Sequence, residues 1–165
     1  MNNYMIFQTK ENTDLAIEVH KNAQISDVRL ARAKVTADRP GSALKEQPIT
    51  LSMGVKAERI EPSANSLLIG IDFRLTGSRN DSPLKKKAII CLECTFEVSY
   101  LLRPEFTPTT EQVNAFKDGN AIFNCWPYCR QYVQETIQKL GYPPLILPFL
   151  QVLTKQNPRR KPTKP

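Results

Sequence analysis

The sequence predicts an α+β domain in which a four-stranded antiparallel sheet is covered on one face by one short and one long helix. Three observations support this prediction. Four segments in succession alternate apolar and polar residues. The polar half of each alternation requires that one face of the sheet stays in solvent. The residues after the last strand carry apolar side chains at the three- and four-residue spacing of helices.

Three of the predicted strands are regular. Apolar residues occupy every second position in 49–59, 67–76 and 90–102, with turn-forming residues between these segments. An earlier segment, 26–37, alternates less regularly, which predicts a strand with a bulge or a register change. The prolines and the glycine of 38–48 exclude a continued strand, so this stretch is expected to be a long crossing loop.

Two helices are predicted after the sheet. Thr110 is a candidate N-cap for a short helix over 111–117, which Asp118, Gly119 and Asn120 are expected to end. A longer helix is indicated by regular apolar spacing up to the stop signal Gly141. Its stripe consists of Trp126, Cys129, Val133, Ile137 and Leu140. Asn124 is its expected N-cap, because Pro127 is tolerated only near a helix start.

The residues after Gly141 combine prolines with large apolar side chains. Pro143, Pro144 and Pro148 forbid a regular helix, so the segment must run extended. Burial of each large apolar side chain is worth roughly 1.5 to 3 kcal/mol. The segment should therefore be covered by the fold, by another subunit or by a bound client. Its large apolar residues are Leu145, Ile146, Leu147, Phe149, Leu150, Val152 and Leu153.

Charge is unevenly distributed along the 165 residues. The net charge is +7, but five of the 23 basic residues lie within 155–165. The other 154 residues contain 18 basic and 16 acidic side chains, so their net charge is only +2. We expect one domain over 1–154, of which 1–24 could be poorly ordered, and a disordered basic tail over 155–165. A nearly neutral body argues against a nucleic-acid groove.

The remaining composition favours a cytoplasmic protein without membrane insertion. The start of the chain lacks the features of a secretory leader, and no apolar run is long enough to span a bilayer. The four cysteines are then expected to be reduced thiols.

The cysteines also superficially match a zinc site, because Cys91 and Cys94 form C-x2-C, and Cys125 and Cys129 form C-x3-C. A strand sends Cys91 and Cys94 to opposite faces, so four sulfurs would not converge. The only histidine, His20, lies in a polar segment away from these thiols. No metal, no cofactor and no enzymatic activity are predicted.

The stretch FNCWPYCRQYVQETIQKLGYPPLILPFL, 123–150, resembles the SecB family of export chaperones. The resemblance rests on a helix opening with Trp126-Pro127-Tyr128 and on a proline-punctuated apolar segment beginning at Gly141. It covers about thirty residues closely, and the rest of the chain agrees in architecture. The family's final helix usually follows the proline segment, whereas here 149–155 is expected to form only a short turn.

The resemblance implies a cytoplasmic holdase that binds unfolded precursor proteins in apolar grooves for export, assembled as a dimer of dimers. The implied client contacts are Trp126, Tyr142, Leu145, Leu147, Phe149 and Leu150, with 38–48 as a wall of the groove. Relatives dedicated to export dock on the SecA translocation ATPase through an acidic surface. The basic tail of this chain departs from that pattern.

Two alternatives remain open at this point. The first is a SecB-like chaperone dedicated to one client, such as the antitoxin of a toxin–antitoxin module. The second, from another class, is a small nucleic-acid-binding protein that uses the basic tail.

Overall fold

A computed structural model describes residues 4–38, 49–60, 65–80 and 86–155. Their elements follow the order β1 (Tyr4–Thr9), α1 (Lys10–Asn22), β2 (Ala23–Ala37), β3 (Ile49–Ile60), β4 (Ser66–Asn80), β5 (Lys86–Leu102), α2 (Thr110–Phe116), a π-helical turn (Lys117–Ala121), α3 (Ile122–Lys139) and β6 (Leu150–Lys155). Most of the predicted crossing loop, 39–48, and the tail beyond Lys155 lie outside the described residues.

The predicted four-stranded antiparallel sheet is confirmed, with the strand order β2-β5-β4-β3. Pairing of β3 with β4 and of β4 with β5 is antiparallel, so consecutive strands are neighbours. The first strand, β2, crosses to the far side and pairs with β5. It carries two register shifts, between Ile25 and Asp27 and between Leu30 and Arg32, as its irregular alternation predicted.

The core lies between this sheet and the helices, and the two central strands supply most of it. The inward side chains of β4 and β5 are almost wholly removed from solvent. They are Leu67, Ile69, Ile71, Phe73 and Leu75 on β4 and Leu92, Cys94, Phe96, Val98 and Tyr100 on β5. Each large apolar member contributes roughly 1.5 to 3 kcal/mol on burial. The sheet is thus apolar on one face, as the alternation predicted.

The helical layer is more continuous than the sequence suggested. The N-cap of α2 is Thr109 rather than Thr110, and it forms a capping box with Gln112. Asp118, Gly119 and Asn120 do not end the helix, because they form the π-helical turn that leads directly into α3. Asn124 is therefore not an N-cap; its side-chain amide donates to the Tyr100 hydroxyl at 3.2 Å.

The N-terminal region forms two elements that the sequence analysis did not find. Within 1–24, where the sequence analysis expected poor order, the structure has β1 and α1. Strand β1 pairs in parallel with β6, so that Tyr4 lies opposite Leu150 and Thr9 opposite Lys155. The short turn expected over 149–155 is thus wrong, because these residues complete a second, two-stranded sheet. Among the described residues, no helix combines the length and apolar character needed to cross a bilayer.

The π-helical turn lies against Gln8, the one polar side chain of the described region that is buried. Its amide nitrogen donates to the carbonyl of Ala115 at 2.8 Å. Gly119 makes room for it, since a Cβ at that position would overlap the Gln8 amide. The buried Gln8 amide thus finds a backbone acceptor in the last turn of α2, just before the π-helical turn. The contact joins β1 to the helical layer.

Replacing Gly119 with alanine should therefore displace Gln8 and leave buried polar groups without partners. We expect Gly119→Ala to lower the free energy of unfolding by about 1 to 3 kcal/mol. Urea denaturation of Gly119→Ala, Gln8→Ala and the double variant forms a cycle in which the two losses should be strongly non-additive. Additive losses would show that Gly119 and Gln8 do not act through this contact.

Candidate functional site

The long helix α3 lies across the two central strands of the sheet. Its side chains at Cys125, Trp126, Cys129, Val133 and Ile137 are buried against the core. This confirms most of the apolar stripe that was predicted from spacing; Leu140 is half-buried. Pro127 lies inside the helix and cannot donate to the carbonyl of Phe123. The helix runs from the Tyr100 end of β5 to the Asp38 end of β2.

The predicted extended segment follows α3 and runs back beside it without helix or strand from Tyr142 to Phe149. Two side chains of α3 hold its backbone. The Trp126 indole N–H donates to the carbonyl of Pro148 at 3.0 Å, and Nε of Arg130 donates to the carbonyl of Leu147 at 2.8 Å. The Tyr142 hydroxyl donates to the carbonyl of Asp38 at 2.7 Å. Side chains therefore supply donors to a backbone whose prolines cannot join a ladder.

The pinned segment, defined as 142–149, presents apolar side chains in two directions. Tyr142 and Leu147 point inward and are buried, while Ile146 and Phe149 remain 65% and 75% exposed. The Arg130 guanidinium lies over the Phe149 ring, 4.5 Å from its centroid, which holds that ring at the surface. The segment therefore offers two large apolar side chains on a fixed backbone.

The structure separates the six residues that the resemblance implied as client contacts. Trp126, Tyr142, Leu147 and Leu150 are buried within the single chain. The ring of Trp126 packs against Tyr4 and Phe73, at centroid distances of 5.4 and 6.0 Å. Leu145 is half-buried and only Phe149 is exposed. In this conformation the first four support the surface, and Phe149 with Leu145 forms part of it.

A second apolar surface lies along β2, where sequence reasoning placed no site. We call it the edge shelf; it comprises the inward-facing side chains Ile25, Val28, Leu30, Ala33 and Val35. Each lies opposite a buried residue of β5, yet Ile25 and Leu30 are both 43% exposed. Leu30 pairs with Phe96, whose ring contacts Tyr132 of α3 at 6.2 Å. The shelf thus leads from the sheet edge to the helix.

The small sheet of β1 and β6 adds a third exposed apolar group. Met5, Phe7 and Leu153 point away from the core, and Phe7 lies directly opposite Leu153 in the parallel register. The alternating partners Tyr4, Ile6 and Leu150 point inward. Residues directly opposite each other on neighbouring strands project from the same face of a sheet, so Phe7 and Leu153 share one face. Met5, two residues before Phe7 on the same strand, projects from that face as well.

Two of the four cysteines, Cys125 and Cys129, have environments that disfavour the thiolate form. Burial raises the pKa of the Cys125 thiol to about 12, with the Cys94 side chain adding to the shift. A hydrogen bond with Cys94, together with burial, raises the pKa of Cys129 well above its usual value. Within the described ranges no group of histidine, cysteine or acidic side chains is arranged to hold a metal ion. Protonated, buried thiols are poor nucleophiles and behave as small apolar side chains.

These thiols predict a loss of stability at alkaline pH. Because the pKa of Cys125 is higher in the folded chain than the usual 9.0, only the unfolded chain loses this proton as pH rises from about 9 to about 12. The free energy of unfolding should therefore fall over that interval, by up to about 1.4 kcal/mol per pH unit for each such group. Urea denaturation at a series of pH values should show a shallower fall for Cys125→Ala than for Cys91→Ala. Equal slopes would contradict this assignment.

Comparisons with known proteins find similarity to SecB-like chaperones. No protein-family model matches the chain. Two curated relatives do: the SecB-like chaperones MT2006 and Rv1957, from the CDC 1551 and H37Rv strains of Mycobacterium tuberculosis, are each 26% identical over 141 residues, covering 78% of this chain and 77% of the relative.

A solved structure gives the same result for the fold. It is the structure of Mycobacterium tuberculosis Rv1957 SecB-like chaperone in complex with a ChAD peptide from the Rv1956 HigA1 antitoxin. It superposes with a TM-score of 0.73 at 23% identity, over 85% of this chain and 99% of the other. The predicted SecB-like fold is thereby confirmed, and the two curated relatives support the predicted chaperone class: this chain is similar to SecB-like chaperones in both sequence and fold.

Proposed function

We propose that this chain is a holdase that captures extended, apolar segments of unfolded proteins on the pinned segment and the edge shelf. The observation that carries the proposal is the exposure of Ile146 and Phe149 on a backbone that α3 holds in place. Large apolar groups left exposed together mark interaction surfaces in folded proteins. Because these side chains are already held in place before binding, most of the conformational entropy lost on binding is lost by the client.

The edge shelf supports binding without sequence preference. Among the described strands β2 lies at the edge of its sheet, and it is 15 residues long. An edge strand presents unpaired backbone donors and acceptors that an incoming extended chain can use. Apolar side chains of that chain would pack on Leu30 and its neighbours. Backbone pairing together with non-directional apolar burial suits clients that share no sequence.

We propose further that the chaperone assembles as a dimer of dimers. The supporting observation is that Ile25, Leu30, Met5 and Phe7 are all substantially exposed in the single chain. A subunit interface would remove part of this area from solvent and leave the rest as groove. The buried residues Trp126 and Leu150 then act by shaping the groove, and Leu145 and Phe149 by touching the client.

We propose that the chaperone acts in the cytoplasm and that its first role is in the export of its clients. Four cysteines that form no disulfide fit a reducing compartment. Docking on the SecA translocation ATPase remains part of the export proposal. The basic residues near the end of the chain differ from the acidic surface used by export-dedicated relatives, so export requires its own test by following a precursor in cells that lack this chain.

A dedicated partnership is the second candidate function. It is favoured by one specific observation, that Rv1957 was solved with a peptide from an antitoxin. A dedicated chaperone would use the same surfaces for one client only. The nucleic-acid alternative lacks comparable support, since it rests on the basic tail; it predicts affinity that falls steeply with salt and disappears on removal of the residues after Gln156.

Replacing the exposed pair on the pinned segment should weaken client capture. If a client covers about half of each side chain, Ile146→Ser with Phe149→Ser should lose roughly 2 kcal/mol, or about thirtyfold in affinity. The measurement is suppression of aggregation of several unrelated denatured proteins. Leu101→Ser is the matched control, because Leu101 is 56% exposed on the opposite face of the sheet.

Two other outcomes would change the proposal. Equal loss in the Leu101 control would show that general surface apolarity, rather than the pinned segment, captures clients. Protection of one client alone would reject the general holdase in favour of the dedicated partner.

Assembly is tested separately by light scattering. The dimer of dimers predicts a solution mass four times the 18.8 kDa of one chain. Leu30→Glu would place a charge on the edge shelf and should shift the mass downward if the shelf lies at a subunit contact. A monomer mass for the unaltered chain would reject the assembly while leaving client capture intact.

A further inference from the structure

Arg130 is a half-buried cation that lies against the pinned segment. Its Nε donates to the carbonyl of Leu147 at 2.8 Å, and its guanidinium carbon lies 4.5 Å from the centroid of the exposed Phe149 ring. Arginine carries five N–H donors. Those on the two terminal nitrogens make no hydrogen bond and no ion pair with the part of the chain that the structure describes. They are left for a bound partner.

The two elements that surround Arg130 supply no counter-charge. The pinned segment contains neither acidic nor basic residues. Helix α3 carries one carboxylate, Glu135, which pairs with Lys139 at 3.8 Å and accepts a hydrogen bond from Gln131 at 3.0 Å. Five positions separate Glu135 from Arg130, which places it about 140° away around the helix. The guanidinium therefore carries a positive charge that neither element neutralises.

The arginines on the polar face of the sheet are in a different situation. Arg32 lies 3.8 Å from Asp72, and Arg74 lies 3.4 Å from Glu93, so these cations already have partners. Opposite charges on neighbouring strands stabilise one another in this way on a solvated sheet face. Arg130 has apolar neighbours where those arginines have carboxylates.

The guanidinium of Arg130 is held in place before anything binds. An ordinary surface arginine loses side-chain freedom when it forms an ion pair, and this loss offsets most of the gain. The hydrogen bond to Leu147 and the contact with Phe149 have already restricted Arg130 in the folded chain. Apolar groups beside a charge-assisted hydrogen bond also lower the local dielectric constant and strengthen the bond. A carboxylate therefore gains more here than at a freely moving arginine.

We propose that Arg130 makes the pinned segment selective for client segments in which an acidic side chain lies two residues from a large apolar one. This selectivity rests on the proposed holdase function, because clients must lie on the pinned segment. Side chains at positions i and i+2 of an extended chain project to the same side, about 7 Å apart. The client groups contact Phe149 and Arg130 from outside, so this spacing suits two targets whose centres are 4.5 Å apart. The apolar side chain packs on Phe149, and the carboxylate accepts from Arg130.

Other acceptors fit this position less well. A backbone carbonyl is uncharged and forms a weaker bond with a guanidinium than a carboxylate does. The terminal carboxylate of a client occurs once per chain and is absent from its internal segments. Nucleic acid gains affinity by placing many phosphates on many cations, whereas Arg130 is the one charge among apolar residues of the pinned segment and its side of α3. A side-chain carboxylate is charged and is available within the internal segments of an unfolded protein.

The probes are fluorescent peptides with blocked termini that differ at one position, two residues after a phenylalanine, where they carry glutamate, glutamine or lysine. Fluorescence anisotropy measures their affinities for the full-length chain. The glutamate peptide should bind about fivefold more tightly than the glutamine peptide, which is the upper value for an exposed ion pair, and the lysine peptide should bind most weakly. High salt should reduce the advantage of glutamate. A glutamine peptide that ends there in a free carboxylate should gain less than the glutamate peptide.

Arg130→Gln should bring the glutamate and glutamine peptides to equal affinity. Because Arg130 also anchors Leu147, this variant should weaken both peptides, so the ratio of their affinities is the readout. Lys139→Gln is the matched control, since it removes the same charge from the same helix, and it should retain the preference for glutamate.

Equal affinities of the glutamate and glutamine peptides for the unaltered chain would overturn the selectivity alone and leave the holdase intact. The selectivity is also rejected if the preference survives Arg130→Gln, if Lys139→Gln abolishes it, or if the terminal carboxylate gains more than glutamate. Failure of every peptide to bind would overturn the proposed function together with the selectivity.

Discussion

The packing of one helix on a four-stranded sheet is the constraint on which the rest of this structure depends. A helix with its side chains is about 10 Å wide, and strands lie about 4.8 Å apart, so α3 can cover roughly two strands. It lies over β4 and β5, whose inward side chains are buried, while Val55 on β3 and Leu30 on β2 stay exposed. The apolar surface left at the sheet edges is therefore a consequence of the width of the helical layer.

Further coverage comes from the pinned segment, and its position depends on α3. Trp126 and Arg130 project from consecutive turns of the helix and reach adjacent carbonyls of the returning chain. Buried, hydrogen-bonded anchors of this kind fix a segment that has no backbone ladder of its own. The same residues therefore shape the surface without being part of it, and loss of either anchor would loosen Ile146 and Phe149 together.

The predictable and unpredictable parts of the fold differ in where their partners lie. Strands β3, β4 and β5 could be predicted because a half-buried strand alternates apolar and polar residues within its own sequence. The continuity of α2 and α3 could not be predicted, because a glycine such as Gly119 locally favours the end of a helix. Its structural reason is the space that it leaves for Gln8, which lies near the other end of the chain. Strand β1 is short and pairs with β6, which is the last described element of the chain. The residues of one strand therefore do not indicate the presence of the other.

The candidate site divides in the same way. The proline spacing after Gly141 was enough to predict an extended apolar segment, and the resemblance to SecB followed from it. Which of its residues are exposed depends on two hydrogen bonds from α3 that no local pattern encodes. The edge shelf was missed because alternation identifies β2 as a strand but does not reveal that it lies at the border of the sheet.

The parallel pairing of β1 with β6 has a consequence for the biosynthesis of the protein. The first described strand obtains its partner only when Leu150–Lys155 has left the ribosome, after all the other described elements have emerged. Until then the inward side chains of Tyr4 and Ile6 lack their neighbours on β6. A nascent SecB-like chain thus carries exposed apolar residues of the kind that its mature form is proposed to bind, and newly made copies would compete with clients for finished ones.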